Sequence, residues 1–115
     1  MPIPSEIASL IERLTQELDR IEEETTEGLN LAQRLLSRFT NNVILTQYFA
    51  YFSTIRFFVE TSRQQVETTT DTLSAEDVPF EVIQEAGEEL GMLLGRVLEV
   101  KINISRTKTR LDNWQ

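Results

Sequence analysis

The sequence of 115 residues contains no cysteine and no histidine. Without cysteine the chain can form neither disulfides nor thiolate metal sites. Without histidine it lacks the commonest general base and the commonest transition-metal ligand. Nucleophile–histidine–acid triads and the Glu-x-x-His di-iron sites of helical bundles are therefore excluded. We predict that the protein is not an enzyme, and that it has no cofactor and no metal site.

Positive charge and long apolar runs are also scarce. The chain has 11 basic and 19 acidic residues and a net charge of −8. Nucleic-acid binding needs cations that displace counterions from phosphates, so we do not expect it here. The most apolar stretch, residues 43–59, is interrupted by polar side chains such as Gln47 and Arg56, which argues against a membrane span. No signal peptide is recognisable at the start, and we expect a cytoplasmic protein.

Apolar residues recur in alternating steps of three and four, a pattern typical of amphipathic helices. It predicts three long helices, at about residues 5–40, 43–72 and 78–111. The first helix carries the clearest seam, at Ile7, Ile11, Leu14, Leu18, Ile21, Thr25, Gly28, Ala32, Leu35 and Phe39. We predict an all-α fold in which residues 1–115 form one domain, an antiparallel up-down-up bundle with coiled-coil-like seams. Three long helices alone enclose only a narrow core, so we expect the protein to form a homo-oligomer.

Capping residues mark where these helices begin and end. Ser5 is a candidate N-cap for the first helix, and the asparagines at 41–42 can end that helix and cap the second. Ser74 or Asp77 can cap the third helix, with Pro79 in its first turn.

Gly28 lies inside the first predicted helix, in the string "IEEETTEGLN". A glycine costs a helix interior about 1 kcal/mol relative to alanine, so this string could be a break. The seam nevertheless passes through Gly28 in phase, which a loop would not be expected to preserve. We predict that the helix continues past Gly28 and that a bulky side chain or a backbone comes close there. A kink at Gly28 is left open.

The segment Val100–Ser105, "VKINIS", alternates apolar and polar residues, which is typical of a strand. No other part of the chain alternates convincingly, so a strand would have to pair with another molecule. We favour helix to about residue 111 and keep the intermolecular strand as the alternative. Lys101 and Lys108 fall in line with Leu90 and Val97, so we expect this end to be looser or differently packed.

The third helix contains the motif GxxxGxxxG, at Gly87, Gly91 and Gly95. Spacing by four places these glycines in a stripe along one flank, beside Leu94 and Leu98, where another helix can approach closely. Close packing within the bundle and packing across an interface between chains are both consistent with the motif. We predict these glycines as partner-binding residues.

Six of the nine aromatic residues lie between Tyr48 and Phe58. On a helix, Phe57 points away from Tyr48, while Phe49 and Phe58 lie at the edges of the core face. One interpretation is that the second helix is central and touches two neighbours. The other is that its outer face meets another chain. We add Phe49, Phe57 and Phe58 to the predicted partner-binding residues.

Acidic residues are concentrated in two places. The string "EETTE", Glu23–Glu27, has the EExxE spacing with which some all-helical nucleotide pyrophosphatases bind magnesium. The ExxD that those enzymes place shortly afterwards is missing, and Glu23 and Glu27 point away from the seam, so we favour a solvated face and assign no family. Residues 74–95 contain six acidic and no basic residues, whereas residues 96–115 contain five basic and two acidic ones. Acid near a helix start and base near its end suit the helix dipole.

These patterns together predict a non-enzymatic interaction protein that acts through helix–helix contacts. It would be an assembly factor, an adaptor or a small structural or regulatory subunit, with a protein partner or a second copy of itself and without a small-molecule ligand. The alternative is a magnesium-dependent phosphohydrolase that uses surface carboxylates.

Overall fold

The computed structural model describes residues 3–114, and within that range it contains three α-helices and no strand. Helix α1 spans Ser5–Arg38, α2 spans Val43–Leu73 and α3 spans Phe80–Asp112. The predicted all-α fold of three helices is confirmed. The segment Val100–Ser105 lies inside α3, so the strand alternative is wrong. None of the three helices has a stretch long and apolar enough to cross a membrane.

Two of the helix starts differ from their predicted caps. Helices α1 and α3 begin directly after Pro4 and Pro79, and neither start has a side-chain cap. The proline carbonyls accept the first helical hydrogen bonds, from Ala8 N–H at 2.9 Å and from Ile83 N–H at 3.2 Å. An N-cap residue needs no N–H of its own, so proline suits this position. Ser5 is therefore the first residue within α1 and not its cap.

The connections between the helices are short. Asn41 adopts a left-handed backbone with φ 66°, and the side chain of Asn42 accepts a hydrogen bond from Leu45 N–H at 3.0 Å. The predicted role of the asparagines in ending α1 and capping α2 is confirmed. Ser74 follows the end of α2, and Asp77 has a left-handed φ of 56° in the second connection, so neither caps α3.

Helix α1 is the central element, because it packs along both other helices while α2 and α3 contact each other less. The interpretation of α2 as the central helix is wrong. Along α1, Gly28 faces Phe52 and Asp19 faces Arg63, so α1 and α2 run in opposite directions. Ile7 faces Gly87 and Glu24 faces Ser105, so α1 and α3 run in the same direction. The result is a rod of 58 × 18 × 16 Å.

The core extends along the whole rod. Residues with at most 1% of their surface exposed occur from Leu14 to Leu111. In α3, Leu90, Val97, Ile104 and Leu111 follow one another at intervals of seven and are all buried. The core face of α3 therefore continues in phase to Leu111, and the expectation of a looser carboxyl-terminal end is wrong.

Gly28 lies within a helix that continues past it, as predicted. A Cβ atom at this position would lie 2.5–2.8 Å from three ring atoms of Phe52, which is itself fully buried. The neighbouring Thr25 is also buried, and its hydroxyl donates a hydrogen bond of 2.6 Å to the Ile21 carbonyl. Two seam residues of the polar string therefore fit into the core. Gly28 fits because it has no side chain, and Thr25 fits because its hydroxyl is hydrogen-bonded.

Candidate protein-interaction surfaces

Helix α2 turns an uncharged face to solvent, which we call the α2 outer face. Its members are spaced by three or four residues and are all exposed: Val43, Thr46, Ala50, Ser53, Phe57, Thr61, Gln64 and Thr68. The threonine hydroxyls of Thr46 and Thr61 donate to the carbonyls four residues earlier, at 2.9 and 3.0 Å. Because these hydroxyls are already bonded within the helix, they add little polarity to the face.

The three predicted aromatic residues of α2 do not share one environment. Phe57 lies in the middle of the α2 outer face and is 68% exposed. Phe49 is 37% exposed and lies on the helix about 60° from the buried Phe52. Phe58 is half-buried and packs against the core of its own chain. Of these three residues, Phe57 therefore has the most surface free for a partner.

Helix α3 carries a second uncharged face, which we call the α3 stripe. It follows the 3–4 spacing along Phe80, Gln84, Gly87, Gly91, Leu94, Leu98, Ile102, Ser105 and Thr109, with Gly95 at its edge. Phe80 and Ile102 are exposed, and Leu94 and Leu98 are half-buried. Exposed or half-buried large apolar side chains thus occur along most of the length of this helix.

The glycines of the α3 stripe do not pack within the bundle as one interpretation of the motif required. A Cβ atom at Gly91 or Gly95 would have no neighbour within 4 Å, and one at Gly87 would touch only Ile7, at 3.7 Å. Close packing inside the chain is therefore wrong for Gly91 and Gly95. Their role at an interface between chains stays a prediction.

Sequence reasoning missed three exposed apolar residues on these faces, Val43, Phe80 and Ile102. Val43 lies at intervals of seven from Ala50 and Phe57, and the 3–4 spacing through the glycines also reaches Phe80 and Ile102. Tracing a second seam on each helix, after the core seam, could have found all three.

A mixed-charge cleft of about 340 Å³ lies between α1 and α3. Lys101 Nζ lies 2.8 Å from Glu17 Oε2 and forms an ion pair with this carboxylate. Lys108 pairs with Glu27, and the Ser105 hydroxyl donates to Glu24 at 3.0 Å. The two lysines that interrupt the α3 seam thus attach this helix to α1.

The "EETTE" string takes part in this cleft. Glu24 and Glu27 each contact a side chain of α3, and Glu23 lines the same cleft. Between residues 3 and 114, no three acidic side chains converge on a point that could hold a metal ion. The contacts of Glu24 and Glu27 to α3 give the string a structural role that needs no metal.

The ion pair of Lys108 has a predictable pH dependence. The hydrogen bond to Glu27 raises the pKa of Lys108 above its ordinary value of 10.5, although partial burial lowers it. The folded state therefore holds this proton more tightly than the unfolded state. The resulting stabilisation is complete below the ordinary lysine pKa and is lost as the pH rises through the folded-state value.

We expect Lys108→Gln to lower the free energy of unfolding by about 0.5 kcal/mol at neutral pH, as is usual for a partly exposed pair. The difference from wild type should stay constant up to about pH 10 and disappear at higher pH. Urea titrations at several pH values would measure it. A difference that grew with rising pH would contradict the assigned pairing.

The two uncharged faces have one chemical capacity in common, which is to remove apolar surface from water against another helix. Comparisons of the chain with protein-family models, with curated proteins and with solved structures find no match.

Proposed function

We propose that this protein is a non-enzymatic interaction protein, an adaptor, assembly factor or small structural or regulatory subunit, that binds another protein through helix–helix contacts. The observation that carries the proposal is the α2 outer face, with Phe57 exposed at its centre. This face contains no charged residue although 26% of the chain is charged. Interface cores are similarly depleted of charge and enriched in aromatic side chains.

The α2 outer face has the length and the residue spacing that a partner helix needs. It runs from Val43 to Thr68, a length of about 38 Å at 1.5 Å per residue. Val43, Ala50 and Phe57 repeat at intervals of seven, which is the spacing at which two helices keep contact along a shared seam. Burying a phenylalanine side chain is worth about 1.5–3 kcal/mol, so Phe57 would supply a large share of the contact energy.

Affinity capture from the native host tests this proposal with three forms of the protein. The forms are wild type, Phe57→Glu, and Asn30→Glu as a matched control that adds the same charge to an exposed position on α1. We expect wild type and Asn30→Glu to retain the same partner in equal amounts and Phe57→Glu to lose it. A carboxylate at position 57 would be buried without a counter-charge, which strongly disfavours the contact.

Circular dichroism on the same preparations separates loss of binding from loss of folding. We expect Phe57→Glu to keep the helical signal and the urea midpoint of wild type, because Phe57 is exposed in the single chain. Equal capture by all three forms would show that the α2 outer face binds no partner. Unfolding of Phe57→Glu would show that this ring belongs to the core.

A further inference from the structure

Small and large residues of the α3 stripe are separated along the helix. The glycines at 87, 91 and 95 lie toward its amino-terminal half, and Leu94, Leu98 and Ile102 lie toward its carboxyl-terminal half. The chain leaves Gly91 and Gly95 open and Ile102 55% exposed. A glycine costs a helix about 1 kcal/mol relative to alanine, so three of them on one exposed flank call for a compensating contact.

We infer that a second copy of the chain covers the α3 stripe, with the two α3 helices antiparallel. This inference rests on the proposed use of helix–helix contacts but does not depend on the α2 outer face. One register satisfies every glycine: Gly87 meets Ile102 of the second copy, Gly91 meets Leu98, and Gly95 meets Leu94. A two-fold axis between residues 94 and 95 repeats each contact, as closed symmetry requires.

The register also arranges the charges favourably. Residues 74–95 carry six acidic and no basic residues, and residues 96–115 carry five basic and two acidic ones. An antiparallel pair places the acidic half of each α3 opposite the basic half of the other. Arg106 and Arg110 are exposed there, whereas Lys101 and Lys108 are already paired with α1. Opposite potentials across an interface favour one orientation over another.

A parallel pair would lose both kinds of complementarity. Glycine would face glycine, the large aliphatic residues would collide, and the two acidic halves would lie side by side. The close approach that glycine permits is useful only when a side chain from the partner fills the space, because protein interiors are packed without voids. Both shape and charge therefore select the antiparallel orientation.

The association is tested first by sedimentation equilibrium. Wild type is expected to form a dimer, and Ile102→Glu is expected to raise the dimer dissociation constant at least about tenfold, because each dimer would bury two unpaired carboxylates. Met92→Glu is the matched control, since Met92 is 70% exposed on the same helix but lies off the stripe. Met92→Glu should sediment as wild type does. A wild-type protein that is still monomeric at about 100 μM would overturn the inference. Its free energy of dimerisation would then be weaker than about −5 kcal/mol.

Single engineered cysteines then report the orientation, because the native chain has none. A disulfide needs Cα atoms within about 7 Å. Gly95→Cys should therefore cross-link to itself across the two-fold axis. Gly87→Cys should not cross-link to itself, because the two positions lie about 22 Å apart along an antiparallel pair. A mixture of Gly91→Cys and Leu98→Cys should form the mixed disulfide.

If Gly87→Cys and Gly91→Cys each cross-linked to a copy of itself, the two α3 helices would be parallel, and the antiparallel register would be overturned. The dimer and the partner proposed for α2 fail independently in these experiments. If the Ile102→Glu variant is monomeric but still captures the partner, the α3 contact between copies is supported and is separate from the partner contact. A monomeric wild type that captures a partner in a Phe57-dependent way overturns the α3 contact and leaves the proposed function standing.

Discussion

We expect Gly28→Leu to lower the free energy of unfolding by about 3 kcal/mol or more, at the upper end of the usual cost of overpacking. The first added atom would already lie within 2.8 Å of the Phe52 ring. That ring is fully buried and cannot move without displacing other core residues. The gain of about 1 kcal/mol from replacing a glycine inside a helix is too small to compensate. Urea denaturation would measure the loss.

The same exchange at Gly91 provides a control with equal gain in helix propensity. Nothing lies within 4 Å of a Cβ atom there. At protein concentrations where the chains are monomeric, Gly91→Leu should therefore leave stability unchanged or raise it by up to about 1 kcal/mol. If Gly28→Leu and Gly91→Leu had equal urea midpoints, the Phe52 ring would not occupy the space that the structure gives it. Gly28→Ala, with one added atom, provides a milder variant should Gly28→Leu fail to fold.

We expect Lys101→Met to lower the free energy of unfolding by about 2 kcal/mol, which is less than the effect of Gly28→Leu. It would leave Glu17, only 7% exposed, without its close counter-charge. Removing one partner of a buried pair costs about 3–5 kcal/mol. The cost is smaller here because the Lys101 side chain is 37% exposed and Arg20 lies 3.8 Å from Glu17.

A double substitution separates the charge from the packing. Replacing both partners of a buried ion pair by apolar residues is often neutral or stabilising. We therefore expect Glu17→Leu combined with Lys101→Met to recover most of the loss. Arg106→Met is the matched control for the exchange itself, since Arg106 is exposed on the same helix, and it should be near neutral at protein concentrations where the chains are monomeric. A double variant no more stable than Lys101→Met would mean that the aliphatic stem of Lys101, and not its charge, is what the fold needs.

The residues of the core were predictable because burial imposes a period on the sequence. The seam from Ile7 to Ala32 has the 3–4 spacing of a buried helix face, and it continues through Gly28 without a change of phase. Two unrelated helices joined by a loop would not be expected to keep this phase. The continuity of α1 across "EETTEG" therefore followed from the spacing alone, against the local preference of the residues for a turn.

The burial of Glu17 was not predictable in the same way. It lies about 60° from Leu14 on the helical wheel, at the edge of the core face, where a charged residue normally reaches solvent. Only the position of α3 shows that Lys101 approaches this carboxylate. Lys101 lies 84 positions further along the chain than Glu17, and the spacing within one helix does not reveal a contact between such distant residues.

The sequence by itself determined the three helices, their ends to within two residues, and the seams that face the core. These depend on periodicity and on local backbone preferences, which each segment carries alone. The tertiary structure decided which helix is central, which glycine meets a ring and which meets open space. It also decided that the lysines of α3 reach α1. Those properties depend on the distance between segments that are remote in the chain, and a one-dimensional pattern can assign a residue to a face without showing what lies opposite.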